Sequence, residues 1–453
     1  MKTAFLTLIS ALAWAAELPK VDVPPAFHSQ APGAGEPVEK WWNTFQDPQL
    51  ASLVERAAAA NLDVKIAISR LLEARAARRS TRADLVPNVG ANATVERERG
   101  RIAPSFPAFE TGIFQAGFDA SWEIDLFGGR RKALQASSAD AAAADEARRD
   151  ALVSLASEVG RNYAELRGFQ RRLDITQRNL KLQQESLNLT NARAEAGLGT
   201  QLDVERQKAQ LETTRASIPA LESSALQAIY RLSVLLGEEP GALLTELTAA
   251  KPMPPLPPAV PVGLPADLLK RRPDLREAAA RIDAETARLG VARADLFPKI
   301  FLNGAAGRQS PTASGLTFGA GNFFSIGPAI SLPIFTGGKL RANVEAQKQR
   351  LEQAVVKYRA TVLRSLEETE DALTAYGHEK ERRERLAAAV EASRQATGLA
   401  TEVYSRGLAD FLTVLDAQRQ QLSAEDDLAV SDTSLMTDLV ALYKSLGGGW
   451  NQQ

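Results

Sequence analysis

The stretch Phe114-Gln115-Ala116-Gly117-Phe118-Asp119-Ala120-Ser121-Trp122-Glu123-Ile124, followed at once by Asp125-Leu126-Phe127-Gly128-Gly129, decides the fold. Phe114, Ala116, Phe118, Ala120, Trp122 and Ile124 fall on one face of a period-two pattern, with Gln115, Gly117, Asp119, Ser121 and Glu123 on the other. Successive side chains of a strand point to opposite faces. The pattern is therefore an amphipathic strand, of about the 9 to 11 residues that a tilted membrane-barrel strand needs. Past Gly128-Gly129 the chain turns Ala-rich, charged and free of proline as far as Gly197. At 1.5 Å per residue this predicts a helix of roughly 100 Å, far beyond globular length.

Within that helix Leu152, Val159, Leu166, Leu173, Leu180 and Leu187 recur every seven residues, the seam of a coiled coil. After the turn Gly197-Leu198-Gly199-Thr200, the same step runs through Val204, Leu211, Ile218, Ala225 and Leu232, so the two helices must fold back as a hairpin. Pro219 is expected to kink or interrupt the second of them. Upstream, residues 61–84 have helical composition and stop before Pro87. From Asn88 to Glu96 a weaker strand sets Val89, Ala91, Ala93 and Val95 against Asn88, Gly90, Asn92 and Thr94.

All of this is written twice. Arg82-Ala83-Asp84-Leu85-Val86-Pro87 returns as Arg293-Ala294-Asp295-Leu296-Phe297-Pro298, and Leu126-Phe127-Gly128-Gly129 as Ile334-Phe335-Thr336-Gly337-Gly338. Gly197-Leu198 returns as Gly407-Leu408, and Leu236-Gly237 as Leu446-Gly447. So long a period means duplication of a domain-sized unit, not a solenoid. The second copy places strands at Ile300–Arg308 and Phe324–Leu332, then helices over Gly338–Arg406 and Asp410–Leu446, where Leu408, Leu415, Leu422, Ala429, Met436 and Tyr443 keep the seven-residue step. Between the copies, Lys251 to Pro265 is dense in proline and reads as an extended linker.

Composition narrows the function. With 54 basic and 55 acidic residues the net charge is -1, which lacks the basic excess of a nucleic-acid partner. The absence of cysteine excludes disulfides, thiol catalysis and thiolate metal sites. Met1-Lys2, the apolar run Ala4 to Ala13 and Ala13-Trp14-Ala15 read as a signal peptide cleaved near Ala15. No later run is long and apolar enough for a membrane helix, so entry into a membrane requires a closed β-barrel. Four strands cannot close one, since the smallest membrane barrels use eight. Three copies would supply twelve, ringed by hairpins that form a coaxial helical cylinder.

These residues resemble the outer membrane factors, the TolC-like exit ducts of Gram-negative efflux pumps and type I secretion systems. The resemblance lies in Trp41-Trp42 with Phe45 and Asp47-Pro48-Gln49-Leu50, in the paired Arg-Ala-Asp-Leu-x-Pro segments, and in Pro333-Ile334-Phe335-Thr336-Gly337-Gly338-Lys339. It continues through Tyr404 with Gly407, Leu412-Thr413-Val414-Leu415-Asp416-Ala417-Gln418-Arg419, and Leu446-Gly447-Gly448-Gly449-Trp450. The multidrug-efflux, NodT-like branch is nearest, although its members often carry a lipidated N-terminal cysteine that this chain lacks. The implied organisation is a signal peptide (1–15), a periplasmic arm with the first equatorial helix (16–60), a first repeat (61–250), the linker (251–265), a second repeat (266–447) and a tail (448–453). The fold implied is mainly α with membrane β: an α-barrel of long hairpins joined to a trimeric twelve-stranded barrel in the outer membrane.

The resemblance also implies the sites. Leu412 and Asp416, one turn apart, would form a periplasmic gate with Asp203, Tyr404 and Arg419; Asp203 and Tyr404 match positions that link inner and outer hairpins in the closed state. Relatives commonly add a second acidic residue three positions before Asp416, where this chain has Thr413. Gly197, Leu198, Gly199, Gly407 and Leu408 would meet a periplasmic adaptor, which in turn serves an inner-membrane transporter. Phe114, Phe118, Trp122, Phe324 and Ile330 would face lipid. From the residues alone, Asp203 and Asp416 are also ordinary polar coil positions, and the glycines ordinary helix caps. No catalytic, cofactor or metal constellation is expected, as His28 and His378 are isolated and the run Glu379 to Arg385 reads as a solvated helix face. The rival reading is an exported coiled-coil structural or adaptor protein whose alternating segments form a small soluble β-domain.

Overall fold

The structure, a computed structural model, describes residues 22–29, 38–100, 109–258, 260–318 and 321–449. The expected signal peptide and Trp450 lie outside the described residues. A 3-10 turn, Trp41–Phe45, leads into α1 (Pro48–Ala60) and α2 (Leu62–Ala83), strands β1 (Asn88–Gly100) and β2 (Phe109–Ile124), and the helices α3 (Gly129–Glu195) and α4 (Gln201–Leu235). Short helices α5 (Leu244–Leu247) and α6 (Pro265–Arg271) precede α7 (Pro273–Ala294), β3 (Lys299–Ser310), α8 (Gly315–Phe318), β4 (Asn322–Ser331), α9 (Lys339–Ser405) and α10 (Phe411–Ser445). The two copies agree residue for residue in length: α2 and α7 have 22 each, α3 and α9 have 67, and α4 and α10 have 35. The fold is mainly helical with one four-stranded antiparallel sheet. No described helix is long and apolar enough to cross a membrane.

Of the two outcomes expected at Pro219, an interruption does not occur. Helix α4 runs unbroken through Pro219. The residue is exposed, so the carbonyl that loses its donor one turn earlier is within reach of water, and the hydrophobic seam on the other face holds the helix together.

The chain divides into two compact units. The first holds residues 69–145 and 277–360. Its sheet has the order β1-β2-β3-β4, and the register pairs Ala91 with Phe118, Phe118 with Ala306, and Ala306 with Phe324. Val89, Val95, Phe118, Phe324, Ile326 and Ile330 therefore share one face, and all are exposed. Ser121 and Asn303 hydrogen bond on the opposite, polar face at 2.8 Å. Gly117 and Gly307 are paired across β2 and β3. A Cβ on Gly117 would lie 2.6 Å from the Ala306 carbonyl oxygen and one on Gly307 2.4 Å from that of Ala116, so the strands approach only because both residues lack one. At the exit of β2, Asp125 accepts the backbone N–H groups of Arg130 and Arg131 at 3.1 and 2.9 Å, which caps the start of α3. Phe127 stacks on Phe297 at 4.9 Å and joins the turn after β2 in the first copy to the turn before β3 in the second.

The second unit holds the described residues of 22–68, 146–276 and 361–449. Trp41 stacks on Tyr443 with ring centroids 5.5 Å apart, and Gly160 makes room for it, since a Cβ there would meet the indole at 2.6 Å. One Asp47 oxygen caps α1 while the other accepts from the Tyr163 hydroxyl at 2.6 Å. Arg167 is fully buried under that ring and donates to Gln170, Gln49 and the Ala249 carbonyl. The aromatic and Asp-Pro-Gln motif is thus core structure. The seven-residue seams are buried at Val159, Leu166, Leu187, Val204, Leu211, Leu232, Ala429, Met436 and Tyr443.

Candidate functional site

The two hairpin turns belong to the second unit and are built alike. Gly197 (φ +72°) and Gly407 (φ +77°) take the left-handed conformation that ends a helix, in which glycine has no Cβ penalty. Leu198 N–H donates to the Arg193 carbonyl at 2.8 Å and Leu408 N–H to that of Val403 at 3.0 Å, each closing a Schellman turn. Both leucines project into solvent, 69% and 76% exposed.

The helices leaving the turns are capped by one device with its residue types exchanged. At α4, Thr200 accepts from Asp203 N–H at 3.2 Å and its hydroxyl donates to the Asp203 carboxylate at 2.7 Å. At α10, Asp410 accepts from the Thr413 N–H at 3.1 Å and its hydroxyl at 3.0 Å. Thr413 thus serves the cap of α10, with the acid of the pair at Asp410.

Leu412 and Asp416 lie on one exposed face of α10, where the Gln420 side-chain amide donates to the Asp416 carboxylate at 3.4 Å. Arg419 donates to Gln210 at 2.6 Å and so ties α10 to α4. The expected link from Asp203 to Tyr404 is not made within the chain: the Asp203 carboxylate is taken by Thr200. Tyr404 is buried edge-on against Phe411 and lies under the guanidinium of Arg193, which donates to the Tyr404 carbonyl at 2.9 Å. Arg193 thus joins the end of α3 to the end of α9, a role that sequence reading missed. Its signal was a basic residue in the last turn of a long helix, where it favours exposed carbonyls and the negative end of the helix dipole.

Farther along α10, acidic side chains fasten it to both long helices. Arg172 forms a two-point pair with Asp426, while Glu425 takes Asn179 at 3.0 Å and Arg394 at 2.7 Å. Asp432 pairs with Arg171 and Arg383 at 3.0 and 2.6 Å. Burial pushes the Glu425 carboxyl up, but hydrogen bonds from Arg394, Asn179 and Gln421 outweigh it and hold the group below the usual carboxylate range. Among the described residues no group of acids and histidines is arranged to hold a metal ion.

In the first unit, Phe118, Phe324 and Ile330 are 64%, 84% and 71% exposed on the apolar sheet face. Phe114 and Trp122 share that face but are half-buried, and the Trp122 indole N–H donates to the Leu85 carbonyl at 3.0 Å.

Known proteins share this arrangement. A family model described as outer membrane efflux protein matches residues 53–238 and again 264–448, one match for each copy of the duplication. Nodulation protein T of Rhizobium leguminosarum bv. trifolii is 30% identical over 416 residues, 91% of this chain and 88% of that protein. The toluene efflux pump outer membrane protein TtgC of Pseudomonas putida is 33% identical over 419 residues, 91% of this chain and 86% of its own. Among solved structures, the outer-membrane channel OprN is 38% identical with a TM-score of 0.88, covering 96% of this chain and 99% of that one.

Proposed function

The chain belongs to the outer membrane efflux protein family, and from that premise we propose that three copies assemble into one passive duct with a twelve-stranded barrel. It is an outer-membrane efflux channel that reaches into the periplasm, and it is not an enzyme. The observation that carries the assembly is the sheet itself. It has four strands, an exposed apolar face and a polar face, and it is too narrow to close alone. Cargo passes through by diffusion, driven by an inner-membrane transporter that a periplasmic adaptor joins to the duct. Small molecules such as drugs suit that role, in line with toluene in the name of one relative.

The gate lies at the hairpin turns. Leu412 and Asp416 are exposed in the single chain, and three copies around one axis would gather three leucines and three carboxylates at an aperture. The adaptor meets the exposed Leu198 and Leu408 and shifts the hairpins outward. The alternative of a soluble coiled-coil adaptor leaves the apolar sheet face uncovered. Light scattering of the purified protein decides between them: a detergent-requiring particle of three chains supports the duct, and a monomer stable without detergent overturns it.

A further inference from the structure

The far end of β1 reads Glu96-Arg97-Glu98-Arg99, and the strand sorts these charges by sign. Odd-numbered residues of β1 share the face of Val89, Ala91, Ala93 and Val95, so both arginines stand on the apolar side. Both glutamates stand on the polar side. Arg97 and Arg99 are 81% and 73% exposed and, among the described residues, share one counter-charge, Glu110, at 2.9 and 3.5 Å. Each guanidinium has five N–H donors, so one carboxylate leaves most of them open and the cluster cationic.

Position fixes what they meet. β1 starts where α2 ends, so these arginines lie at the end of the strand away from that helix, which the membrane reading makes the cell-surface rim. At about 3.3 Å per residue, Arg97 and Arg99 lie some 26 and 33 Å along the strand from Val89. A tilt near 40° converts this to about 20 and 25 Å along the membrane normal, at the edge of an apolar band ~25 Å tall. Directly below them Val95 pairs with Phe114 and Ala93 with Ala116, so apolar side chains of β1 and β2 continue toward the bilayer centre, while Arg308 of β3 stands on the same face beside Ala116 with its guanidinium donating to Asn322 and to the Leu316 carbonyl. A phosphate head above acyl chains matches this order of charge and apolar surface, and a guanidinium fork matches phosphate geometry.

We propose that Arg97 and Arg99 form an outward-facing site for an acylated lipid of the outer leaflet whose headgroup carries phosphate. The site rests on the reading of the sheet as a membrane barrel. Each basic residue at such a surface contributes enough that losing two weakens binding about 30-fold.

The test is native mass spectrometry of the purified, detergent-held protein titrated with diphosphoryl lipid A and with its dephosphorylated form. Wild type is expected to prefer the phosphorylated lipid, Arg97→Gln with Arg99→Gln to lose about 30-fold in affinity, and Glu96→Gln with Glu98→Gln, on the other face, to bind as wild type does. Unchanged binding by the arginine variant overturns the proposal, as does competition by inorganic phosphate at equal concentration, which would mark a simple anion site. Should that variant fail to assemble, the wild-type preference decides: equal affinity for both lipids overturns the proposal. Detergent-free solubility of the wild type would sink the membrane reading, whereas a detergent-requiring protein that ignores the phosphate sinks this inference alone.

Discussion

The guanidinium of Arg193 lies 4.7 Å above the ring of Tyr404 and donates at 2.9 Å to that residue's own carbonyl. A second, longer contact reaches the Ser405 carbonyl at 3.4 Å. One side chain of the first hairpin thereby holds the last turn of the long helix of the second. Its charge also sits at the C-terminal end of α9, where the helix dipole concentrates negative potential.

Arg193→Ala is therefore expected to loosen the two hairpins at their turns. A hydrogen bond from a charged donor contributes about 1.5 to 3 kcal/mol, and the stacking adds about 0.5 to 2. In planar bilayers the variant should open more often than wild type, and Arg193→Lys should fall between, since an ammonium keeps the charge but not the planar stack. Wild-type open probability in a correctly assembled Arg193→Ala duct would show that this contact does not restrain the gate.

Tyr404→Phe gives a sharper contrast. The ring, the carbonyl and the packing on Phe411 all survive that change, and Asp203 is engaged with Thr200, so single-channel conductance should stay at the wild-type value. Asp416→Ala should differ. Three carboxylates around one axis recruit cations, so removing them should weaken block by divalent cations applied from the periplasmic side. If Tyr404→Phe opens the duct and Asp416→Ala leaves cation block intact, the gate depends on the tyrosine hydroxyl instead.

The fold was legible because its periods are long and uninterrupted. Phe114 to Ile124 alternates through most of β2 and Leu152 to Leu187 keeps its step along much of α3, so local pattern and tertiary demand agree. Pro219 does not break α4: propensity counts the lost hydrogen bond but not the seam, at Leu211 and Leu232, that holds the helix. The turns were visible as glycines. The partners around them were not, because Arg193 and Tyr404 are 211 positions apart and meet only when both hairpins are folded. Asp203 also closes a local cap with Thr200, a pairing that the spacing of the two residues already permitted.

The sheet offers a test by face. Phe118→Arg should cost about 2 to 4 kcal/mol if that residue lies near the bilayer midplane, whereas Gln115→Arg on the polar face should be mild. Gly307→Ala should damage the β2 and β3 pairing regardless of face, because its Cβ meets backbone at 2.4 Å and backbone cannot swing aside. Yield of heat-resistant trimer in outer-membrane fractions measures all three. Equal loss for Phe118→Arg and Gln115→Arg would mean that the lipid face is misassigned.

Asp438 in α10 should make the duct more stable in mild acid. Burial, with the nearby charge of Glu379, raises its carboxyl to about 6. An unfolded aspartate titrates near 3.9, so the folded state binds this proton more tightly. The contribution of Asp438 to stability is greatest below about 4, declines as pH rises from there to about 6, and is lowest above 6. A shift of this size corresponds to at most about 3 kcal/mol, less what residual solvent contact screens. Glu425 runs the opposite way, because its folded value is depressed: its stabilisation is present above the unfolded carboxylate value near 4.3 and is lost only as pH falls through the lower folded one. Between pH 5 and 7 the aspartate therefore dominates this pair. Asp438→Asn should raise the thermal midpoint of the detergent-held protein at pH 7 and narrow its advantage over wild type at pH 5. A variant no more stable than wild type at pH 7 would show that Asp438 is paired or hydrated in the assembled duct.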